Sequence, residues 1–465
     1  MTYNNIRTNV PSVTWPGLPG ETDARRLALL FQFEMTERWP VAALEAQQFR
    51  QIEALVEHCY SEAPYWQDRL RRAGIRPGQK LTPTLWSHIP ILNRADAQQA
   101  GEQLYARSMP DWHGVTYHAF TSGSTGVPLQ SRKTELHGDY WFSFNLRIML
   151  WHGVKLDETM AVFKVNRSDL APSTKGTWYQ DWGKDFAPFR TGRAVHFDIR
   201  LPPADQVEHL IEEKIGYMLT YPTNAAALAR HCRAAGLRLP HLRGILTFGE
   251  TTPEGLRELC RDVFDVPVID AYSSEEAGYI SIQCPGHVHH HIISEGMKVE
   301  VLDEDGQPCG PGETGRVVVT PLHNFAMPLF RYEVGDYAEM GSPCSCGRTL
   351  PVLNRVLGRT RDRVRMPDGG SKIAFWGAQH LYKLPAIVQH QVARVALDTM
   401  EYRIVARRPL TVDEEAQLVK MLRDSLGYPF NVRFVYLDAI ARSVSGKYQD
   451  FRSEINESDG AINAI

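Results

Sequence analysis

The sequence carries little net charge of either sign: 51 Lys and Arg against 54 Asp and Glu leave −3 at pH 7. That balance argues against a general binder of nucleic acid or anionic membrane, although a local basic patch stays open. No apolar run reaches the ~18–20 residues that a membrane span requires. The opening Met1-Thr2-Tyr3-Asn4-Asn5 lacks the charged-then-apolar pattern of a secretory leader. Cysteine is sparse and odd in number, seven in 465 residues, which fits a reduced cytoplasm better than a disulfide framework. There is no internal repeat, no low-complexity tract and no G-x-x-x-x-G-K-[ST] phosphate loop. What remains is a 43% hydrophobic chain of soluble globular composition, long enough for at least two domains.

Residues 23–75 read as helical, with Leu44, Phe49, Ile52, Leu55 and Val56 at helix spacing. Turns follow at Pro77-Gly78, Pro83 and Pro90. A helix is expected over 134–151, where Tyr140, Trp141, Phe142 and Phe144 cluster. Strands at 217–220, 244–248 and 266–272 alternate with helices, which predicts an α/β layer with a mostly parallel sheet. After about residue 290 the texture changes. Strands at 299–302 and 315–320, separated by turn-rich segments, predict a small antiparallel sheet or β-barrel-like subdomain. The charged stretch 352–363 suits a linker, and 370–455 has the size and alternation of a small α+β domain, with a helix over 412–426.

Five segments carry chemistry. Thr121-Ser122-Gly123-Ser124-Thr125-Gly126-Val127-Pro128 offers hydroxyls, backbone N–H groups and two flexible glycines to one polyanion, though such a run is equally a plain surface loop. Phe248-Gly249-Glu250-Thr251 and Asp270-Ala271-Tyr272-Ser273-Ser274-Glu275-Glu276-Ala277-Gly278 each lie at a predicted strand's carboxyl end, where open α/β sheets bind ligands. A carboxylate there can hold Mg2+ against a polyphosphate. Taken singly, both also read as ordinary strand-to-helix turns. Arg331-Tyr332-Glu333-Val334-Gly335-Asp336 and Ser445-Gly446-Lys447 complete the set. Separately, Cys344-Ser345-Cys346 and Cys284, with His287, His289, His290 and His291 close by, provide enough thiols and imidazoles for tetrahedral Zn2+. Buried or surface thiols beside a solvated histidine run are the alternative.

In this order the segments resemble the adenylate-forming superfamily: acyl-CoA synthetases, peptide-synthetase adenylation domains and luciferases. Within it the chain is most similar to the phenylacetate–CoA ligase branch, particularly its capsule-biosynthesis-type relatives, from about residue 45 to 452. The resemblance implies a large N-terminal α/β domain, 1–357, and a small mobile α+β C-terminal domain, 358–465, hinged near 361–363 at Asp362. It implies that Thr121, Ser122, Gly123, Ser124, Thr125 and Gly126 grip the ATP phosphates, with Gly249 and Glu250 beside the adenine and acyl pocket. Tyr272, followed by Ser273 where the family usually has glycine, packs on adenine. Glu276 holds Mg2+, Asp336 the ribose hydroxyls, and Arg359 lies near the nucleotide. Lys447 reaches the carboxylate and α-phosphate. In this branch a cysteine can be followed seven residues later by histidine and then by Cys-x-Cys-Gly-Arg, which implies Cys284, His291, Cys344 and Cys346 as ligands of a structural zinc.

The resemblance therefore implies an ATP- and Mg2+-dependent ligase that activates a carboxylic acid as its adenylate and passes the acyl group to a thiol, most readily CoA. At 366–376 the chain departs from the branch, in a stretch tied to thioester formation. An amine or a carrier-protein thiol therefore stays open as acceptor, and a non-catalytic nucleotide-binding scaffold is the remaining alternative. The aromatic cluster at 140–144 raises an aromatic or hydrophobic acid as substrate, against a plain core role for those rings.

Overall fold

The expected helical stretch 23–75 forms three helices, Glu21–Thr36, Val41–Glu62 and Pro64–Arg72, in a computed structural model. It describes residues 6–120, 129–165, 175–253, 255–359, 363–366, 371–373, 384, 386–440, 448 and 451–455. Proline sets the breaks: Pro40 caps the second helix and Pro64 opens the third, where a missing N–H costs nothing. The chain divides into two units, one of Met1–Glu158, Tyr179–Ala194 and Asp270–Leu357, the other of Thr159–Trp178, Val195–Ile269 and Gly358–Ile465.

In the first unit, strands run in the order Met297–Leu302, Thr314–Pro321, Tyr332–Met340, Val352–Arg359, His290–Ile292, Gly278–Gln283 and then Val268–Ser274, which enters from the other unit. The pairs with assigned register here are antiparallel. Helix Val41–Glu62 buries Phe49, Ile52, Leu55 and Val56 in the same apolar core as Val317, Val319 and Phe330. Trp66 and Trp86 meet Phe330 edge-on, the arrangement that ring quadrupoles favour. The stretch expected as a linker, 352–363, is instead largely strand. Val352 and Leu353 are buried, while the exposed Arg355 pairs with Glu339 at 2.7 Å.

In the second unit, Met160–Lys164, Tyr217–Thr220 and Gly244–Thr247 pair in parallel, as the alternating pattern predicted. Helices Pro203–Glu212, Pro222–Ala235 and Leu256–Phe264 contribute to the same core. The chain's C-terminal part builds a separate four-stranded sheet, ordered Asn431–Tyr436, Thr399–Ala406, Ile387–Ala396 and Phe451–Ser453. Helix Val412–Leu426 packs into that core through Leu418, Leu422 and Leu426. A capping box of Thr411 and Glu414 starts this helix and Gly427, at φ 64°, stops it. Among the described residues, no helix is long and apolar enough to cross a membrane.

One charged cluster ties the first unit together. Arg147, on helix Glu135–Trp151, is 2% exposed. Its guanidinium reaches Glu295 at 3.0 Å, Glu37 at 3.3 Å and the Phe33 carbonyl at 2.9 Å. Glu37 also accepts from Trp151 Nε1 and pairs with Arg348 at 3.2 Å. Removing the central cation would strand two carboxylates away from water. Arg147→Ala is expected to lower unfolding stability by about 3–5 kcal/mol, read from the denaturant midpoint.

Candidate functional site

Tyr272 and Glu276 sit on one β-hairpin. Strand Val268–Ser274 turns at Glu275-Glu276-Ala277 into strand Gly278–Gln283, with Ser274 opposite Gly278. Gly278 closes the turn at φ 98°, a conformation that strains any residue with a Cβ, and Ser274 Oγ accepts from the Ala277 N–H. The segment is thus a strand-to-strand turn, rather than the strand-to-helix turn its acidic run resembled. The Tyr272 hydroxyl donates to Asp336 Oδ2 at 2.6 Å, joining two sequence-predicted residues 64 positions apart. Asp336 is carried by strand Tyr332–Met340. Arg331 anchors the start of that strand, donating to the carbonyls of Ser87 and Ile89 and pairing with Glu300 at 3.1 Å. Its φ of 47° is stabilised by those bonds.

Glu276 is 7% exposed, and its Oε1 meets Arg94 Nη1 at 2.5 Å. Lys133, itself buried, reaches the neighbouring Glu275 at 3.4 Å. Neither cation was singled out from sequence. Asn93 is legible as the N-cap of helix Arg94–Ala100, but nothing local points to a partner 182 residues away. Ser273 is exposed. The antiparallel hairpin Thr116–Phe120 and Gln130–Thr134 flanks the hydroxyl-rich loop, whose residues 121–126 lie outside the described residues. So do Lys447, Asp362 and most of 366–376. Arg359 ends strand Val352–Arg359.

In the second unit, Gly249 takes φ 76° just past strand Gly244–Thr247. Glu250 Oε2 accepts from both the backbone N–H of Thr223, at 3.1 Å, and its hydroxyl, at 2.8 Å. Glu250 Oε1 accepts the Tyr448 N–H at 2.6 Å.

Back in the first unit, the four residues expected to ligate zinc come together. Cys284 Sγ and Cys344 Sγ are 3.8 Å apart, and Cys346 Sγ lies 3.3 Å from His291 Nε2. Two thiolates at ~2.3 Å from one tetrahedral ion would be separated by roughly 3.8 Å. His291 Nδ1–H donates to the Leu350 carbonyl at 3.2 Å, which leaves Nε2 as the lone-pair nitrogen facing the thiols. Burial lowers the His291 imidazole to about 4 and keeps it in the neutral form that binds metal. A fifth donor joins them, one of the nearby histidines that the resemblance did not assign as a ligand. His289 belongs with Cys284, His291 and Cys344 to a group whose ligand atoms all lie within 4.8 Å of one another, and its Nε2 is buried without a hydrogen-bond partner. The signal was the His-x-His spacing entering strand His290–Ile292, since alternate residues share a face.

Helix Glu135–Trp151 also lines a cavity. His137, Tyr140, Trp141 and Phe144, at helical spacing, face Tyr279 and His323 across about 20 Å³, room for one water. Tyr140 stacks on His323 at 3.7 Å and Trp141 on Tyr279 at 4.2 Å. Phe142, grouped with these rings from sequence, points elsewhere and lies under the Arg26 guanidinium. Burial drives His137 and His323 each down to about 3, so both are neutral in the folded protein at neutral pH. Unfolding returns them to about 6.5, and below that pH the unfolded chain binds more protons. Stability is therefore intact above ~6.5 and falls as the pH drops toward the folded values. Between pH 7 and pH 5 each imidazole should cost about 2 kcal/mol. Urea unfolding across that range checks this, and a His137→Gln/His323→Gln variant should flatten the profile.

Residues 184–326 match the AMP-binding enzyme family. The chain is 35% identical over 405 residues to a phenylacetate–coenzyme A ligase of Thermus thermophilus, covering 83% of each chain. A solved 2-hydroxyisobutyryl-CoA ligase in the postadenylation state superposes with a TM-score of 0.73 at 18% identity, over 90% of this chain and 91% of that one. An amide bond synthetase from Marinactinospora thermotolerans gives 0.51 at 17%, over 71% and 67%. These structural likenesses carry the fold, and the Thermus relative carries the lineage. This chain belongs to the phenylacetate–coenzyme A ligase family of AMP-binding, adenylate-forming enzymes.

Proposed function

We propose that this chain is an ATP-dependent carboxylate-activating ligase that forms an acyl-adenylate, releases pyrophosphate and passes the acyl group to the thiol of CoA. The observation that carries this reading is the Tyr272–Asp336 hydrogen bond, with Glu276 on the same hairpin as Tyr272, in a chain 35% identical to a phenylacetate–CoA ligase. Tyr272 offers a ring for the adenine, and Asp336 offers a carboxylate for the ribose hydroxyls. Gly249, Ser273 and Arg359 are assigned to the nucleotide, and Thr121, Ser122, Gly123, Ser124, Thr125 and Gly126 to its phosphates; Glu250 lies beside that pocket with its carboxylate taken up by Thr223 and Tyr448. The C-terminal domain, 358–465, is the part we expect to move about 361–363.

In the first half-reaction an acid oxygen attacks the α-phosphate in line, and the bond to pyrophosphate breaks. Negative charge builds on the equatorial oxygens, so catalysis rests on positioning and fixed positive charge. Lys447 is assigned to supply that charge. Glu276 fits a Mg2+ role through its donor chemistry, a carboxylate at a turn already held by a cation, Arg94. Bound with ATP, Mg2+ would neutralise phosphate charge. In the second half-reaction the sulfur forms its bond to the acyl carbon and AMP leaves. A carrier-protein thiol or an amine is the other outcome at this step, because 366–376 departs from the family stretch tied to thioester formation. An aromatic or hydrophobic acid as substrate rests on the ring cluster Tyr140, Trp141 and Phe144 alone; the space those rings enclose, about 20 Å³, is that of one water and would have to open to admit an acid.

The orphaned His289 nitrogen and the thiol spacing fit a structural Zn2+ held by Cys284, His291, Cys344 and Cys346, with His289 as a competing donor. All seven cysteines are free, which suits a cytoplasmic setting.

ATP–pyrophosphate exchange across a panel of carboxylic acids tests the activity, and silence throughout with zinc-replete protein would overturn it. Products formed from preformed adenylate with CoA, carrier protein or amines, identified by mass spectrometry, assign the acceptor. Lys447→Ala is expected to abolish acyl-AMP formation while largely sparing ATP binding; exchange at the wild-type rate would remove the lysine from its role. Elemental analysis of Cys344→Ser/Cys346→Ser protein should show loss of about one zinc per chain, and unchanged content would reject the site.

A further inference from the structure

We propose that Glu250 is a positioning residue for the adenylation step, holding the main chain beside Lys447. The proposal rests on the assignment of Lys447 given above. The Glu250 carboxylate has two sides. One oxygen is fixed by the backbone N–H and hydroxyl of Thr223, in the first turn of helix Pro222–Ala235. The helix dipole and an unsatisfied first-turn amide both favour an anion there. The other oxygen accepts the Tyr448 N–H at 2.6 Å, one residue past Lys447. Glu250 thus joins the segment after strand Gly244–Thr247 to the segment that ends in strand Phe451–Ser453, 198 positions later.

The partner side is itself anchored. The Tyr448 hydroxyl donates to the carbonyl of His390, on strand Ile387–Ala396. Ile440 N–H donates to Gln389 Oε1 at 2.9 Å. A neighbouring bridge runs parallel to this one: Arg230, on the same helix as Thr223, donates from Nη1 to the Val388 carbonyl at 3.0 Å. The bond to Glu250 is therefore made by a main-chain amide with little freedom to retreat. Moving Tyr448 by an ångström moves the base of Lys447 with it, and a catalytic group displaced that far loses much of its effect.

Glu250→Gln keeps the size of the side chain but leaves one acceptor oxygen for three donors, so an NH2 group must face an N–H or O–H. The kcat of ATP–pyrophosphate exchange should fall about tenfold, the weight of one charge-assisted hydrogen bond. The KM values for ATP and acid should stay within about twofold, because the residue acts through the lysine and not on bound substrate. Hydrogen exchange of the peptide spanning 441–455 should speed up at the Tyr448 amide. Glu250→Asp keeps the charge but withdraws it by one methylene, and should move kcat in the same direction. Should Glu250→Gln fold poorly, this variant carries the test. Wild-type kcat with unchanged protection at Tyr448 in either variant overturns the proposal, as does a defect confined to the KM for ATP, which would make Glu250 a nucleotide contact. If Lys447→Ala exchanges normally, the fault lies with the lysine assignment; if it is silent and Glu250→Gln is normal, only the positioning role falls.

Discussion

The buried Arg147 cation is the point on which the first unit converges. It draws Glu37, from just past helix Glu21–Thr36, and Glu295, from the loop before strand Met297–Leu302, onto helix Glu135–Trp151. A charge removed from water is stable only when paired and hydrogen-bonded, so these three pieces have one mutual arrangement. Two chemical features inherit it. Glu295 precedes Gly296, where a Cβ would stand 2.6 Å from the Phe144 ring, and that fixes how deep the ring can sit in the cavity wall. Glu37 holds Arg348, whose guanidinium lies over Trp151 at 4.1 Å, and Trp151 meets His291 edge-on. The thiol and imidazole cluster and the ring-lined cavity are thus braced from the same side of one helix.

Charge at the hairpin tip follows a similar economy. Glu275 and Glu276 are adjacent carboxylates that would repel if left alone, yet each has its own cation, Lys133 and Arg94. The cations come from either side of the hydroxyl-rich loop in sequence, one at the start of helix Arg94–Ala100 and the other on strand Gln130–Thr134. In the proposed reading, a polyphosphate arriving with Mg2+ would meet carboxylates already oriented and cations that can re-pair with phosphate oxygens. Little reorganisation is then needed when charge develops, which is where fixed dipoles and ions gain most over water.

Much of this was legible in the sequence, and what was not has a physical cause. Period-2 and period-3.6 patterns placed strand Tyr217–Thr220 and helices Glu135–Trp151 and Val412–Leu426 almost to the residue, because burial and propensity agree there. The stretch 352–359 misled because its charge was weighed alone: Arg355 is exposed, while Val352 and Leu353 beside it are buried in the sheet. The motif residues Tyr272 and Asp336 were legible as types, but their hydrogen bond was not, since it depends on the register of strands 64 positions apart. Arg94 and Thr223 were invisible for the same reason. Each is ordinary in its local context and acquires a role only through a distant partner. Phe142 shows the converse error: proximity in sequence grouped it with the cavity rings, whereas a step of one residue on a helix turns the side chain by about 100°.

The contact between Glu250 and Tyr448 has a strength suited to a chain that performs two half-reactions. A charge-assisted hydrogen bond contributes about 1.5–3 kcal/mol, which biases an equilibrium by roughly 10- to 150-fold. That is enough to favour one placement of the Lys447 segment while acid and ATP react. It is far short of the buried Arg147 cluster, where breaking a pair costs ~3–5 kcal/mol and several elements would lose their seat together. Under the proposed role, the chain uses a strong, dry ion cluster where it must stay fixed, and weaker hydrogen bonds, Glu250 to Tyr448 and Arg230 to Val388, where Lys447 would later have to leave. In that reading, an acyl-adenylate that no longer needed Lys447 would remove only substrate contacts, so the remaining hold would have to be small for release to keep pace with turnover.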